Sequence, residues 1–365
     1  MYNKIVILTH DYAPNDGGIA RLCFEIKKQL QNDNIKMEVV TMAKNSTDLE
    51  GDRYVHRIPG GRGLLEWRML RYLLKSTTKE DIIITDTFHP GGLISILSGR
   101  RTLILAHGAE LLEGKTFFRR VIWAKYRKWV LSKAEKVVAN SHYTKGLVLG
   151  CSPKANAVAV PLAVDPDYFK PTCEKMNNGF LNICSISRLL KFKGHDFILE
   201  SIAALPQEYK SKIRLKIGGK GNYKSSLETL AKELGLDDVV EFVGFVSDDE
   251  LCNFYSESDL YILCTREEPQ NRNVEGFGLV FTEAQACGTP TIGTRTGGIP
   301  DAIEEGFGGW LIEQDNKEEL QQLLMNLIDN PTILQEQSVK ARTRIVERCN
   351  WKVYYKQLKS LFKPN

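Results

Sequence analysis

The sequence predicts an α/β protein built from two doubly wound modules, each a parallel sheet covered by helices. Short β-branched runs alternate with segments of helical period along the whole chain, which is typical of this architecture. The series is interrupted at a stretch rich in Pro, Asn and Asp, residues 165–180, and then starts again. A chain of 365 residues also exceeds what one hydrophobic core usually supports.

The strand-like runs can be assigned in order along the chain. The first module contains KIVILTH, MEVVTM, DIIITD, TLILAHG, KVVANS and NAVAVPL, and the second contains FLNICSIS, IRLKIGG, VVEFVG, LYILC, PTIGTR and GGWLI. From about residue 315 the chain reads as helices, and the last one, about 350–365, has an aromatic stripe suited to packing on the first module. We therefore predict domains at 1–170 and 171–349. Ligands of open α/β sheets bind at the carboxyl ends of strands, so the two modules predict a cleft lined by strand ends.

Composition excludes several classes of protein. With 42% hydrophobic and 26% charged residues, and no apolar run near the ~20 residues needed to cross a bilayer, we expect a cytoplasmic protein. Residues 1–165 hold 25 Lys and Arg against 16 Asp and Glu, which predicts an anionic partner for the first module. No recognition motif indicates nucleic acid. The cysteines form no C-x-x-C and there is no His-rich run, so neither a metal site nor a redox motif is expected.

Two strand ends of the first module carry candidate binding residues. Gly17 and Gly18, in DYAPNDGGIAR, follow the first strand and let the backbone approach an anion at the start of a helix. The loop is neither G-x-G-x-x-G nor a Walker A motif, which disfavours dinucleotide and ATP binding. His107, in LILAHGAEL, follows an apolar strand and can donate a hydrogen bond to a sugar hydroxyl or a phosphate; a purely structural histidine is the alternative.

Three strand ends of the second module suggest a nucleotide site. In SISRLLKFKGHD, Arg188 and Lys193 can reach one point outside the sheet, as a diphosphate requires, with Lys191 competing for the role. Gly219, in IGGKGNY, permits close backbone approach. Val246, in EFVGFVS, lies on an apolar edge that can hold a flat base.

The stretch NVEGFGLVFTEAQACGTP places two carboxylates around a predicted helix start. The amides of Gly276, Phe277, Gly278 and Leu279 are free to bind a phosphate or sugar oxygen, and Glu275 just before them can accept from sugar hydroxyls. A second acid, at position 283, would lie about two turns, or roughly 10 Å, deeper. A hexose at one carboxylate and a ribose at the other fits this offset, so a nucleotide sugar is the predicted ligand.

The combination of motifs gives the chain a family resemblance. The E-x7-E pattern of Glu275 and Glu283, the segments EAQACGTP, TGGIPDAI and AHGAE, the Arg188 and Lys193 pair and the Gly-Gly loop resemble family 4 retaining glycosyltransferases of the GT-B fold. In that fold two Rossmann-like, doubly wound domains face each other across a cleft. The resemblance is nearest to bacterial mannosyltransferases of the phosphatidylinositol mannoside type and of polysaccharide synthesis.

The resemblance implies roles for the candidate residues. Arg188 and Lys193 would neutralise the leaving diphosphate, Glu275 with the amides of residues 276–279 would hold the donor sugar, and His107 would touch the transferred hexose. The remaining contacts would be Glu283 to the ribose, Gly17 to the phosphate and Val246 to the base. Such enzymes are described as metal-independent, and no D-x-D motif occurs here. The sequence departs from the family's P-N-G-V-D turn, reading PLAVD at 161–165.

The resemblance also implies a reaction that retains the anomeric configuration. The donor's phosphate oxygen takes the acceptor proton, so Glu275 is not assigned as a nucleophile. GDP-mannose is the expected donor, with UDP-hexoses as the alternative. A GT-B nucleotide-sugar epimerase and a non-catalytic nucleotide-sugar-binding protein are the competing functions.

A basic, aromatic segment at residues 115–136 suggests a membrane partner. It holds eight basic residues against one acid, interleaved with five aromatic rings at positions 117, 118, 123, 126 and 129. Such a helix is suited to an anionic membrane surface, which predicts a peripheral protein on the inner face of the cell membrane that acts on a lipid-linked or polysaccharide-precursor acceptor. The alternative is a helix whose apolar side packs on the sheet.

Overall fold

The structure, a computed structural model, describes residues 3–15, 17–43, 52–114, 116–175 and 178–363. The chain forms two compact units. The first, here the N-unit, comprises Met1–Pro161 together with Trp351–Asn365, and the second, here the C-unit, comprises Leu162–Asn350. The sequence-based boundary lies at 170 and 171, slightly downstream of the division between Pro161 and Leu162.

Over the described residues, the N-unit is built on a seven-stranded parallel sheet in the order β3-β2-β1-β4-β5-β6-β7. The central strands are buried on both faces, which explains why they read as continuous Val, Ile and Leu runs. The strands are β1 Ile5–Leu8, β2 Met37–Met42, β3 Val55–Ile58, β4 Ile82–Thr85, β5 Arg101–Ala106, β6 Lys136–Ala139 and β7 Ala157–Ala159.

Helices of the N-unit cover this sheet and bury one apolar stripe each. In α2, for example, Leu65, Met69 and Leu73 recur at a spacing of four and pack on Val6, Leu8 and other strand residues. The helices are α1 Gly18–Asn32, α2 Leu64–Ser76, α3 Leu93–Ser98, α4 Ala124–Lys133 and α5 His142–Cys151. A kinked segment at Phe88–Gly92 leads into α3, and a π-type turn at Arg119–Trp123 leads into α4.

Within the described residues, the C-unit repeats the plan with a six-stranded parallel sheet in the order β10-β9-β8-β11-β12-β13. All six strands coincide with runs assigned from the sequence. They are β8 Leu181–Ile186, β9 Ile213–Gly218, β10 Val240–Gly244, β11 Leu260–Leu263, β12 Thr291–Thr294 and β13 Gly309–Ile312.

Helices flank the second sheet, and its core is formed by strand residues with buried residues of α6, α8, α12 and α13. The helices are α6 His195–Ala203, α7 Gln207–Lys210, α8 Lys224–Glu233, α9 Asp248–Ser256, α10 Leu279–Ala286, α11 Ile299–Ala302, α12 Lys317–Asp329 and α13 Thr332–Arg348. The helical run predicted from about residue 315 is thus confirmed.

The closing helix, α14 Trp351–Ser360, belongs to the N-unit and packs against α1. Lys359 donates to Asp33 at 2.6 Å, and Arg101 donates to the carbonyl of Phe362 at 2.9 Å. Burial of Tyr354, Tyr355 and Leu358 on one side accounts for the aromatic stripe in the sequence.

The Pro- and Asp-rich stretch that the sequence suggests as a linker packs closely on the C-unit over its described part. Phe169 is fully buried. Arg342 donates to the carbonyls of Phe169 at 2.8 Å and Pro166 at 2.9 Å, and so ties the stretch to α13. The linker interpretation is therefore wrong for residues 165–170, because composition records turn propensity and not packing.

The fold class predicted from the sequence is confirmed, with two doubly wound, Rossmann-like parallel sheets. In each unit the carboxyl ends of neighbouring strands meet along one edge, and this edge carries the candidate residues. No helix in the described part of the chain is long and apolar enough to cross a membrane.

Candidate active site

The most specific feature of the C-unit edge is an ion pair between two loops. Lys193 Nζ donates to Glu275 Oε2 at 2.5 Å, with side chains 11% and 19% exposed. A pair this sheltered is stable only if both charges are kept together or exchanged for other partners. The sequence indicated both residues as ligand contacts but not that they contact each other.

Lys193 is held in place by a glycine that cannot be replaced without distortion. The turn Lys191–Lys193 ends at Gly194, whose φ is 76°, in the left-handed region. A Cβ on Gly194 would lie 1.9 Å from the carbonyl oxygen of Cys264, just past β11. The turn therefore packs directly on the end of β11. This contact fixes the position of the turn and places the Lys193 amine beside Glu275. Lys191, by contrast, is exposed.

Glu275 is fixed by the loop that precedes α10. Its carbonyl accepts from the amide of Gly298 at 2.8 Å, and a Cβ on Gly297 would lie 2.4 Å from that same oxygen. Gly278 has a φ of 93°, and Phe277 is buried beneath the loop. Gly276 and Leu279 complete this turn. The first amides of α10 have no carbonyl within the helix to receive them, so they can bind an oxygen atom of a ligand.

Glu283 lies on α10 and receives a hydrogen bond from a tyrosine that the sequence did not indicate. Tyr255 Oη, on α9, donates to Glu283 Oε2 at 3.2 Å. Tyr255 is fully buried, and burial raises its pKa well above the usual range, so the phenol keeps its proton. Tyr255 packs edge-on against Tyr261, which packs in turn on Phe281. No motif surrounds Tyr255 in the sequence; its role emerges only from the packing of α9 on α10.

Arg188 stands apart from this network. It follows β8, its side chain is exposed, and among the described residues no ion pair or side-chain hydrogen bond holds it. The structure therefore brings Lys193 and Glu275 together but leaves the guanidinium of Arg188 available to an incoming anion.

His195 is a buried residue of this edge that the sequence analysis did not single out. Its Nε2 lies 2.9 Å from Ser187 Oγ and its Nδ1 lies 3.3 Å from Ser185 Oγ. Burial, with a smaller contribution from the charge of Lys193, lowers the pKa of His195 to about 3. A neutral imidazole thus fixes the end of β8, immediately before Arg188.

Gly219 and Val246 lie at the ends of β9 and β10 on the same edge. Gly219 has a φ of 124°, and a Cβ there would lie 1.9 Å from the carbonyl oxygen of Ser187. Val246 packs over Gly218, where an added Cβ would meet its Cγ2 at 3.0 Å. The neighbouring Phe245 is 62% exposed, with Lys220 Nζ 4.2 Å from its ring centre. An accessible apolar surface therefore flanks the glycine-rich strand ends.

At the N-unit edge, His107 has a defined tautomer. Its Nε2 lies 2.7 Å from the carbonyl oxygen of Asp86, which only accepts, so Nε2 carries the proton. The Nδ1 of a neutral His107 is then an acceptor with no hydrogen bond to a described residue. The His107 amide donates to Glu110 at 2.7 Å, and Asn140 donates to its carbonyl at 3.2 Å, so the backbone is fixed on both sides.

Gly17 and Gly18 begin α1 beside the same edge. Gly17 is the N-cap residue in an extended conformation, Gly18 is the first helical residue, and both are exposed. A Cβ on Gly17 would lie 3.3 Å from Asp11 Oδ2. The end of β1 is linked to the end of its neighbour β4 by Thr9, whose hydroxyl donates to buried Asp86 at 2.7 Å.

Among the described residues, no group of three or more His, Cys, Asp and Glu side chains is placed to hold a metal ion. The C-unit edge itself presents the cations Arg188 and Lys193, the carboxylates Glu275 and Glu283, and the first amides of α10.

Comparisons with known proteins agree with this architecture. Residues 174–347 match the family described as Glycosyl transferases group 1, and residues 16–168 match Glycosyltransferase Family 4. HepE of Anabaena, crystallised in complex with UDP, has a TM-score of 0.77 to this chain at 19% identity, covering 98% of both.

Two curated relatives are similar in sequence. The GDP-mannose-dependent alpha-(1-6)-phosphatidylinositol monomannoside mannosyltransferase of Mycobacterium tuberculosis H37Rv is 25% identical over 339 residues, 85% of each chain. A GDP-mannose-dependent monoacylated alpha-(1-6)-phosphatidylinositol monomannoside mannosyltransferase of Corynebacterium glutamicum is 27% identical over 214 residues, 55% of this chain and 55% of that protein. The chain thus aligns with little more than half the length of the second relative.

Two Rossmann-like units, with charged and glycine-rich strand ends in each, define an α/β protein of the GT-B class. The chain belongs to the family 4 glycosyltransferases, as its sequence motifs indicated, and the two family matches together span nearly all of it.

Proposed function

We propose that this glycosyltransferase moves a hexose from a nucleotide sugar to an acceptor hydroxyl with retention of the anomeric configuration. The observation that carries the proposal is the Lys193–Glu275 ion pair at the start of α10, beside the exposed Arg188. A diphosphate offers Lys193 an alternative anion, and the sugar hydroxyls offer Glu275 alternative donors. Donor binding thus exchanges one set of partners for another without leaving either charge unpaired.

Each residue has a role that follows from its surroundings. Arg188 and Lys193 stabilise negative charge on the leaving diphosphate, which is the work a metal ion does in other transferases, so we propose that no metal is required. Glu275 and the free amides of residues 276–279 hold the hexose. Because the oxygens of Glu275 receive sugar hydroxyls in this scheme, Glu275 is not assigned as a nucleophile, and the donor phosphate oxygen is proposed as the proton acceptor in a retaining reaction.

Two further residues complete the donor contacts. Glu283, oriented by the hydroxyl of Tyr255, accepts from the ribose hydroxyls. His107 accepts a hexose hydroxyl proton at Nδ1, because its Nε2 proton is committed to Asp86. This refines the expectation that His107 acts as a donor. The phosphate approaches Gly17, and the base lies against Val246, near the exposed ring of Phe245.

For the donor we propose GDP-mannose, with a UDP-hexose as the alternative. The two curated relatives described above are named as GDP-mannose-dependent, while HepE was crystallised with UDP. Thermal unfolding with GDP, UDP or ADP separates these, because only a nucleotide that binds the folded state raises the melting temperature. Incubation of the protein with radiolabelled GDP-mannose or UDP-glucose and a bacterial lipid extract then tests transfer. Nucleotide binding without any labelled product would favour a non-catalytic binding protein.

We also propose that the N-unit docks on an anionic membrane through the helical segment 117–133. Residues Phe117, Phe118 and Ile122 are 77%, 56% and 53% exposed, and Lys125 and Lys128 are exposed nearby. On the opposite side of the same helix, Val130 and Leu131 pack in the core, so the segment combines both predicted interpretations. Arg127, unlike Lys125 and Lys128, is buried, and it donates to the carbonyl of Leu111.

The neighbouring helices extend this surface. α3 packs against both α2 and α4, and α2 exposes Trp67, with Arg71 5.3 Å from its ring centre. Aromatic rings among basic residues suit the headgroup region of an anionic bilayer. We propose a peripheral protein on the inner face of the cell membrane that acts on a lipid-linked acceptor or a polysaccharide precursor.

Flotation with vesicles containing anionic lipid tests the membrane proposal. The wild type should float at low salt and dissociate at high salt, and a Phe117→Ser, Phe118→Ser double variant should float less. Val339→Ser, at a position 68% exposed on the C-unit, is the matched control and should float as the wild type does. Equal flotation on neutral vesicles would count against the proposal.

A further inference from the structure

Four aromatic side chains form a cluster at the N-unit edge that has no part in the proposed donor contacts, and two of them belong to the segment 117–133. This aromatic cluster consists of Phe88, His89, Trp123 and Tyr126. The imidazole of His89 lies edge-on to Trp123, with centroids 4.8 Å apart, and to Tyr126, at 5.6 Å. The ring centroids of Trp123 and Tyr126 lie 5.0 Å apart. The buried ring of Phe88 packs edge-on against Trp123. His89, Trp123 and Tyr126 each remain partly exposed.

The backbone brings the cluster together through two unusual turns. His89 belongs to the kinked segment Phe88–Gly92 after β4, and Trp123 ends the π-type turn Arg119–Trp123 before α4. His89 has an extended conformation inside its turn (φ −143°, ψ 132°), and its carbonyl accepts from Thr87 at 2.9 Å. Turns of the π type, such as the one that ends at Trp123, occur frequently at functional sites.

The cluster shares its strand end with residues already assigned to the site. β4 runs directly into Asp86, whose carboxylate accepts from the amide of His10 at 3.0 Å and whose carbonyl accepts from His107. The ring nitrogens of His10 are buried and have no hydrogen-bond partner among the described residues. Unused polar nitrogens and an aromatic surface therefore converge near His107.

The polar atoms of the cluster are neutral and directional. His89 Nδ1 lies 2.8 Å from Tyr126 Oη. Burial is the main cause that lowers the pKa of His89, and burial raises the pKa of Tyr126 to about 12, so both groups are uncharged near neutral pH. No member of the cluster carries a formal charge, so it is poorly suited to a phosphate. Its other His89 nitrogen makes no hydrogen bond to a described residue.

We infer that the aromatic cluster is the platform for the acceptor, and that the acceptor presents a sugar ring, stacked on Trp123 and hydrogen-bonded through its hydroxyls by His89 and Tyr126. A pyranose combines an apolar C–H face with a polar rim, which matches aromatic faces beside two neutral polar groups. The inference rests on the proposed transferase function and narrows its acceptor class to glycosylated molecules. A bare lipid alcohol or lipid phosphate would not use these contacts.

The test uses octyl glycosides of mannose, glucose and galactose as acceptor probes, with octanol as the sugar-free probe. We expect transfer to at least one glycoside and none to octanol. His89→Ala, Tyr126→Phe and Trp123→Phe should each raise the acceptor KM about tenfold or more while leaving the donor KM and acceptor-independent donor hydrolysis unchanged. A loss of fold would instead lower hydrolysis, which separates a structural role from an acceptor role.

Matched controls come from a second histidine–tyrosine contact of the N-unit. The rings of His56, on β3, and Tyr72, on α2, have centroids 5.3 Å apart and lie outside the cluster. His56→Ala and Tyr72→Phe should leave the acceptor KM unchanged. Equal effects of the two sets of variants, or transfer to octanol with the same KM in the cluster variants, would overturn the inference.

Binding without turnover separates this inference from the proposed function. Saturation-transfer NMR of the same octyl glycosides should show binding to the wild type and loss of binding in His89→Ala. If no donor is ever consumed but glycoside binding depends on His89, the transferase proposal fails and the sugar platform stands. If donor is consumed while glycoside binding ignores His89, the platform is wrong and the transferase stands.

Discussion

Lys193 and Glu275 form a 2.5 Å ion pair across 82 positions of the sequence, and this contact joins the turn after β8 to the start of α10. Both side chains are largely shielded from water, so each charge depends on the other in the ligand-free protein. A substrate that separates them must supply an anion for one and hydroxyl donors for the other. A nucleotide sugar carries both on adjacent groups.

The first prediction is that the two residues act as a unit. Lys193→Met and Glu275→Gln should each lower kcat by about 10²-fold or more, because each removes preorganised stabilisation of the reacting groups. The double variant should lose less than the product of the two single effects. Initial rates of donor hydrolysis and thermal unfolding of all four proteins measure this coupling. Strict additivity in both rate and stability would show that the contact has no functional consequence.

The second prediction separates Arg188 from Lys193 by stability. Arg188 is exposed, so Arg188→Ala should change the unfolding free energy by less than about 0.5 kcal/mol. Its kcat should nevertheless fall about 10²-fold, because the proposed role of the guanidinium is to stabilise the leaving diphosphate. Lys191→Ala, an exposed cation of the same loop, is the control and should leave kcat within a few-fold. A larger effect at Lys191 than at Arg188 would reverse the assignment.

Most of the fold was predictable because central parallel strands are buried on both faces and read as apolar runs. The strand that the sequence did not reveal is β3, Val55–Ile58. Its residues, VHRI, include two polar side chains, and each is only partly buried because the strand lies at the sheet edge. Without a buried face on either side, such a strand leaves no periodic signal.

The candidate site likewise contains residues that local sequence predicts and residues that only tertiary packing reveals. Positions that depend on local backbone, such as Gly219 after β9 and the glycines before α10, follow from the strand–turn–helix pattern. Tyr255 and His195 act through packing between elements, and neither belongs to a motif. The pairing of Lys193 with Glu275 also depends on how two distant loops meet. Spacing along the chain carries no information on such contacts.

The third prediction concerns Tyr255. Tyr255→Phe removes the hydroxyl that orients Glu283, so nucleoside diphosphate affinity should weaken by about 10-fold to 160-fold, as expected for a hydrogen bond to a charged group. Acceptor KM should not change. Titration calorimetry with the preferred nucleotide measures the effect. Tyr209→Phe removes a similar bond, to Asp329 at 2.9 Å on the exposed surface, and should not alter affinity.

The fourth prediction is a stability change with pH that depends on His195. Its folded-state pKa is lowered to about 3, while an unfolded histidine titrates near 6.5. Below pH 6.5 unfolding takes up a proton, so the stability contribution is complete above that pH and decreases as the pH falls toward 3. The slope is at most about 1.4 kcal/mol per pH unit.

Urea unfolding between pH 7 and pH 4 measures this dependence. His195→Asn should unfold at lower urea at pH 7 but show a shallower loss of stability toward pH 4. His142→Asn, at the exposed first position of α5, should follow the wild-type slope. Parallel curves for the wild type and His195→Asn would contradict the burial of a neutral imidazole.

The fifth prediction distinguishes two costs of replacing a glycine. Gly194→Ala must adopt a left-handed conformation and also place its Cβ 1.9 Å from the Cys264 carbonyl, so the turn that carries Lys193 has to move. Gly235→Ala has a similar φ of 63° but nothing within 4 Å of the added Cβ, so it pays only the conformational cost, about 1–2 kcal/mol. Both variants should unfold at lower urea concentrations than the wild type, and Gly194→Ala should unfold at the lowest concentration of the three. Only Gly194→Ala should lose kcat, because only there does the Lys193 amine leave Glu275. Equal activity of the two variants at a temperature where both are folded would show that the position of Lys193 does not limit the reaction.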